Sequence, residues 1–378
     1  MDTDIDLNNE LWEPIGVNAD ASETAFQGTF NGGNHTIPNL NVDLTAEPAY
    51  RSAGLFGATR GTVVIKNFTV SGANVKHLSK PNANGSTVNG IAVIVGSLSY
   101  NEGGIVENVD VLNATIEGNR YLGGIAGYAK GTIKDCSIDG LTIVATPDNL
   151  YNNSYDNGDK CGGILGFDNS GVTITGNSIK NFSIKGYRDL GGIVGCAYLN
   201  SSTVSENTVT DGTIIVDQRT NSYGTKAANA AAIVGRLGDG ALNADANTSS
   251  NVIISEDVAE GISYSPESKT YTLAAGVNIG AAISNSKTKG LLEFTIELSA
   301  GSYNMVSPTT GSTVAIKFQG KGESTEIHME NAQYNASSCT LEFDDVKLIC
   351  DKKEEYKGII QGTMETYNRC YFTGVRHL

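Results

Sequence analysis

Hydrophobic positions recur along this chain in blocks. A short apolar segment with embedded glycine appears six times: AGLFG (53–57), AVIVG (92–96), GGIAG (123–127), GGILG (162–166), GGIVG (191–195) and AAIVG (231–235). Five of the six are followed by β-branched residues spaced by five. These are Ile65/Val70/Val75, Val106/Val111/Ile116, Ile133/Ile138/Ile143, Ile174/Ile179/Ile184 and Val204/Val209/Ile214. A step of five is neither the two-residue alternation of a flat strand nor the roughly 3.6-residue face of a helix. It fits short strands separated by turns, each sending side chains to a common interior. The residues between, as in IKNFTVSGANV (65–75) and VENVDVLNATI (106–116), are largely Asn, Gly, Asp, Ser and Thr. Asn and Gly accept left-handed turn conformations at little cost.

Each block therefore predicts one coil, with a GG-I-x-G strand followed by strands around the triplet. Successive coils would pair in parallel about 4.8 Å apart, with Ile and Val stacked inside. Crossovers between parallel strands are right-handed as a rule. The expected fold is all-β, an elongated right-handed parallel β-helix, or β-solenoid. A competing antiparallel sandwich would need hairpin alternation, which these blocks lack.

The linkers alternate in length. From the last triplet residue to the closing motif glycine the steps are 21, 11, 23, 11 and 21 residues. Three long loops result, at 76–89, 144–159 and 216–229. They should leave the same corner of alternate coils and form a ridge, about 10 Å from loop to loop. The short linkers EGNRYLGG (117–124) and KGYRDLGG (185–192) put Arg120 and Arg188 at equivalent points.

Composition narrows the function. The 45 glycines among 378 residues belong largely to the motifs and turns, so they mark a repeat rather than a linker. Asp plus Glu is 41 against 26 Lys plus Arg, a formal charge of −15. Polyanionic partners need Lys and Arg to neutralise phosphates, so no nucleic-acid partner is expected. No apolar run is long enough to span a bilayer, so no membrane insertion is expected. The N-terminus MDTDIDLNNELW does not read as an export signal. The six cysteines form no CxxC pair and read as buried free thiols.

WEPIG (12–16), FQGTFNGGNHTIPNLNV (26–42), AGLFG (53–57), GTVVIKNFTV (61–70) and LGGIAG (122–127) together resemble the GLUG-repeat, adhesin-like surface and secreted proteins of gut Bacteroidetes. The resemblance covers residues 4–256 and implies a β-solenoid on an exported, cell-surface-associated protein. It implies no known reaction. IAVIVG (91–96) and AAAIVG (230–235) depart from the pattern, with Val or Ala at the second glycine, which affects strand detail more than fold.

Residues 257–378 form the second expected domain. SYSPESKTY (263–271) reads as a hairpin and AAGVNIGAAIS (274–284) as a short helix. Strands are expected over 295–305, 314–329, 339–350 and 367–374. This run resembles the start of a pectate-lyase-like β-helix, a class that includes lyases, glycosidases, phage tailspikes and non-catalytic adhesins. Both ends read as cut, so a fragment is expected.

Glycosidases need two carboxylates, and β-helical lyases pair Ca²⁺-binding carboxylates with a basic residue. The candidates here are Asp344/Asp345, Asp351/Glu354/Glu355 and Arg369. They read as solvated turns or strand ends rather than a catalytic set. His35, His77, His328 and His377 lack ligand spacing, and His35 reads as part of a turn. HExxH, P-loop and GxSxG motifs are absent, and GKGES (320–324) reads as a glycine turn. No cofactor is expected, and Ca²⁺ at DNGD (156–159) would lack the twelve-residue loop pattern. The ridge is the candidate ligand-binding site, carried by Tyr151, Tyr155, Asp156, Asp159, Arg219 and Tyr223. Tyr gives flat contact area, and Asp and Asn hydrogen-bond hydroxyls. The sequence thus points to a non-enzymatic, monomeric, extracellular or cell-surface adhesin-like protein. Its partner would be a glycan or a host or bacterial surface protein. The alternatives are a polysaccharide lyase or glycoside hydrolase, and a phage tail component.

Overall fold

The computed structural model describes residues 1–16, 24–46, 52–78, 90–99, 103–146, 159–198, 201–217, 229–238, 246–306, 314–329, 334–335, 339–350, 360–361 and 364–373. Among them the chain is all-β, with one α-helix, Ile279–Thr288. It divides into two compact units, Met1–Val216 with Thr220–Ile254, and Ser255–Leu378 with Asp217–Arg219.

In the first unit the period of five has a simple origin. Val70 points in, Ser71 out, Gly72 takes φ +63°, Ala73 points in, Asn74 out, and Val75 in again. One left-handed residue inserted into a two-residue alternation turns four into five. The same conformation recurs in two columns. The first is Asn67, Asn108, Asp135, Gly176, Glu206 and Ala246; the second is Gly72, Asn113, Gly140, Asn181, Asp211 and Asn251. Most are Asn, Asp or Gly, for which this conformation is least costly.

All fifteen triplet residues are buried. They pair in register as expected: Ile65 with Val106, Val106 with Ile133, Ile133 with Ile174, and Ile174 with Val204, all in parallel. The residue after each left-handed turn also faces inward, as Phe68, Val109, Cys136, Asn177 and Asn207 do. The N-terminal strand Thr29–Pro38 joins this stack through Ile37, opposite Val70. Gly32 and Gly33 lengthen that block and disguise its spacing.

The glycine motif is not the single strand that its pattern predicts. It is a corner between two sheets. Arg120–Gly123 ends in a six-stranded parallel sheet, Gly124 and Ile125 bend, and Ala126–Lys134 begins in another sheet. Only the last motif position is Gly in all six copies: Gly57, Gly96, Gly127, Gly166, Gly195 and Gly235. A Cβ at Gly127 would lie 2.2 Å from Ile91 N, and at Gly195 2.5 Å from Cys161 N. The turning chain touches the backbone of a neighbouring strand there, so no side chain fits.

The second unit opens with the expected hairpin, Ile262–Ser265 antiparallel to Thr270–Leu273. The helix starts later than the sequence suggests, because Asn278 caps it by accepting the Gly280 N–H at 2.7 Å. The expected strands are each split in two. Glu293–Leu298, Val314–Gln319, Cys339–Asp344 and Met364–Asn368 form one parallel ladder. Gly301–Asn304, Thr325–Met329, Lys347–Cys350 and Tyr371–Thr373 form another. Left-handed Asp345 and Arg369 make two of the bends. The core includes the stacked rings of Phe318, Phe343 and Tyr367, with centroids 5.0 and 5.5 Å apart.

Candidate functional site

The predicted ridge can be followed to its base. Tyr151, Tyr155, Asp156, Arg219 and Tyr223 lie outside the described residues. Asp159 opens the strand Asp159–Gly162, with Arg120 as its Cα partner on one side and Arg188 on the other. That strand belongs to the six-stranded sheet, whose members run in sequence order: Ser52–Ala53, Gly90–Ala92, Arg120–Gly123, Asp159–Gly162, Arg188–Gly191 and Ala230–Ala231. The three long linkers enter it at the second, fourth and sixth strands. Adjacent parallel strands are about 4.8 Å apart, so these entry points recur about every 10 Å.

Two columns of side chains line this corner outside the main core. The first holds Tyr121, Lys160 and Asp189, all left-handed, followed by Asn229. The second is the residue after each invariant glycine: Ala58, Ser97, Tyr128, Phe167, Cys196 and Arg236. The columns interlock. Tyr121 stacks on Phe167 at 4.6 Å, and Lys160 Nζ lies 5.1 and 5.0 Å from those two rings. Arg120 covers Tyr121 at 4.1 Å and donates to its hydroxyl. Farther along, Asn229 Nδ2 donates to Asp189 Oδ1 at 3.0 Å. Arg188 Nε and Arg236 Nη1 lie 3.8 and 3.7 Å from Asp189 Oδ2. Arg236 is 5.9 Å from the ring of Tyr198, which is 43% exposed. Arg120 and Arg188 stand out in the short linkers, but the wall they join does not. The residue following each invariant glycine carried the signal.

The second unit carries the catalytic candidates. Asp344 ends its strand and Asp345 is the turn after it. Asp344 accepts from Arg369 Nε and Nη2 at 3.1 and 2.7 Å and lies 3.3 Å from Lys317. Arg369, and secondarily Lys317, hold its carboxyl below the usual range. An open cleft of about 260 Å³ includes Lys269, Glu293, Lys317 and Glu342 in its lining. Its carboxylates belong to separate ion pairs, Lys269–Glu293 at 2.9 Å and Lys317–Glu342 at 3.1 Å. The hydrogen bond from Lys269 lowers the Glu293 pKa. A general acid requires the opposite shift. Asp351, Glu354 and Glu355 lie outside the described residues.

His35 Nδ1 lies 3.2 Å from Asp4 Oδ1, beside left-handed Asn34. Cys136, Cys161, Cys196 and Cys339 are buried free thiols, and Cys370 is half-buried. Burial pushes the Cys136 thiol up to about 12. Among the described residues, no group of three or more His, Cys, Asp or Glu is placed to hold a metal. No helix among them is long and apolar enough to cross a membrane.

No family model matches the chain, and no solved structure matches it. Two curated proteins are similar over part of it. Halomucin of Haloquadratum walsbyi is 33% identical over 116 residues, 31% of this chain and 1% of that protein. A protein of Evansella cellulosilytica, described as a Gly-rich membrane protein, is 32% identical over 114 residues, 29% of this chain and 11% of that protein. The chain thus spans only a small fraction of the curated relatives it matches.

Proposed function

We propose that this chain is a non-enzymatic, extracellular or cell-surface protein of the adhesin-like kind. Its first unit would be a right-handed β-solenoid of GLUG type that displays loops for glycan or protein binding. The observation that carries this reading is the six-stranded sheet, which takes in a long linker at every second strand. Stacked backbone hydrogen bonds make such a scaffold stiff, while its loops can vary without disturbing the core. The two partial relatives, one named halomucin and one described as a Gly-rich membrane protein, fit a surface setting.

A polysaccharide-cleaving enzyme is the second reading, favoured by the cleft beside Glu293 and Glu342. Its carboxylates are engaged by lysines across neighbouring strands, which suits a salt-bridged surface better than acid–base chemistry. One experiment separates the readings. The chain is incubated with plant, bacterial and mucin-type polysaccharides. Retention is scored by affinity electrophoresis, and cleavage by new reducing ends or unsaturated product. Retention without cleavage is expected; turnover abolished by Glu342→Gln would replace the binding role with an enzymatic one.

A further inference from the structure

The wall of the first unit changes character along its length. Tyr121, Tyr128 and Phe167 are buried together, with Lys160 among them. At the other end stand Arg236, Tyr198 and Leu237, where Tyr198 is 43% and Leu237 51% exposed. Cys196 occupies the column position between Phe167 and Arg236, so a small side chain adjoins the guanidinium where a ring would otherwise stand. Asp189 is fully buried behind Arg236, and among the described residues its Oδ2 accepts no hydrogen bond. The 3.7 Å separation positions the guanidinium electrostatically without using its N–H donors. Among the described residues, neither the Arg236 side chain nor the Tyr198 hydroxyl makes a hydrogen bond.

We infer that Arg236 and Tyr198 form a recognition point for the carboxylate of an acidic sugar. A guanidinium presents paired donors that match a carboxylate bidentately, and lysine does not. The Tyr198 face offers the flat apolar surface that a sugar ring covers. Asp189 is a positioning residue that holds the guanidinium at the wall. One accessible guanidinium at this end of the wall, on a chain of net charge −15, suits one carboxylate rather than a polyanion. The inference rests on the binding role proposed above and names its ligand class.

The test uses the whole chain with trigalacturonic acid and its neutral counterpart, galactotriose, in isothermal titration, beside a broad array of glycans and surface proteins. The acidic trisaccharide should bind about tenfold tighter or more, as charge-assisted hydrogen bonds imply. Arg236→Gln should abolish that preference, Arg236→Lys should restore only part of it, and Tyr198→Ala should weaken both sugars. Thermal midpoints near the parent's establish that the variants fold. Array binding with no acidic preference, or a preference unchanged in Arg236→Gln, overturns this inference and leaves the binding role standing. No binding to any glycan or surface protein overturns both.

Discussion

Asn207 Oδ1 accepts both the backbone N–H and the side-chain Nδ2–H of Asn177, each at 3.0 Å. Both side chains are buried in the interior of the first unit. Asn207 in turn donates to Asn247 Oδ1 at 2.9 Å, and Asn177 Oδ1 receives the Cys136 N–H at 3.0 Å. The column satisfies backbone groups that the left-handed turns would otherwise strand. Asn207→Ala should therefore destabilise by about 1–3 kcal/mol, the cost of leaving buried donors unpaired. Urea unfolding reads this directly, and an unchanged midpoint would remove the structural role of the column.

The invariant glycine column makes a sharper distinction. A Cβ at Gly166 would sit 2.6 Å from Tyr121 C, whereas one at Gly103 would meet nothing closer than 3.9 Å. Gly166→Ala should cost about 1–3 kcal/mol through forced backbone shifts. Gly103→Ala should leave the thermal midpoint nearly unchanged. Equal effects would mean that the motif glycines are not there for close approach.

Thiol chemistry should follow burial. With Cys136 1% exposed and its thiol pushed up to about 12, little thiolate exists near neutral pH. Iodoacetamide followed by peptide mass spectrometry should leave Cys136 unlabelled in the folded chain and label it in urea. Rapid labelling of the folded chain would contradict this packing.

Acid should weaken the second unit through Asp344. Its folded pKa is depressed below 3.8 by Arg369 and Lys317. A depressed carboxyl contributes stability that is present above the unfolded pKa and lost as pH falls through the folded one. Glu293 and Glu326 are lowered in the same direction by Lys269 and Lys347. Unfolding free energy should drop below about pH 4, and Asp344→Asn should flatten part of that drop. An identical pH profile in parent and variant would show that the pair contributes nothing.

Much of the first unit was legible because inward Ile and Val recur at a fixed step. Their pairings, Val111 with Ile138 and Ile116 with Ile143, follow from the sequence alone. The left-handed residue that produces the step was less visible, since Glu206 and Ala246 also adopt it. The inward Asn177 and Asn207 read as polar turn residues, because partners in neighbouring strands make their burial tolerable. The motif glycines suggested a strand because a corner stabilised by close backbone approach looks the same in one dimension. In the second unit, bends at Asp345 and Arg369 broke apolar runs that read as continuous. The wall joining Lys160, Asp189 and Arg236 depends on stacking of strands far apart in sequence, which periodicity does not report.

The proposed binding role assigns recognition to the long linkers that enter the six-stranded sheet. The most direct measurement is a glycan and surface-protein array probed with the parent and with a Tyr151→Ala, Tyr155→Ala, Tyr223→Ala triple variant. Selective binding by the parent is predicted, lost in a variant whose thermal midpoint matches the parent's. Equal binding by the two chains, or none by the parent, would contradict it.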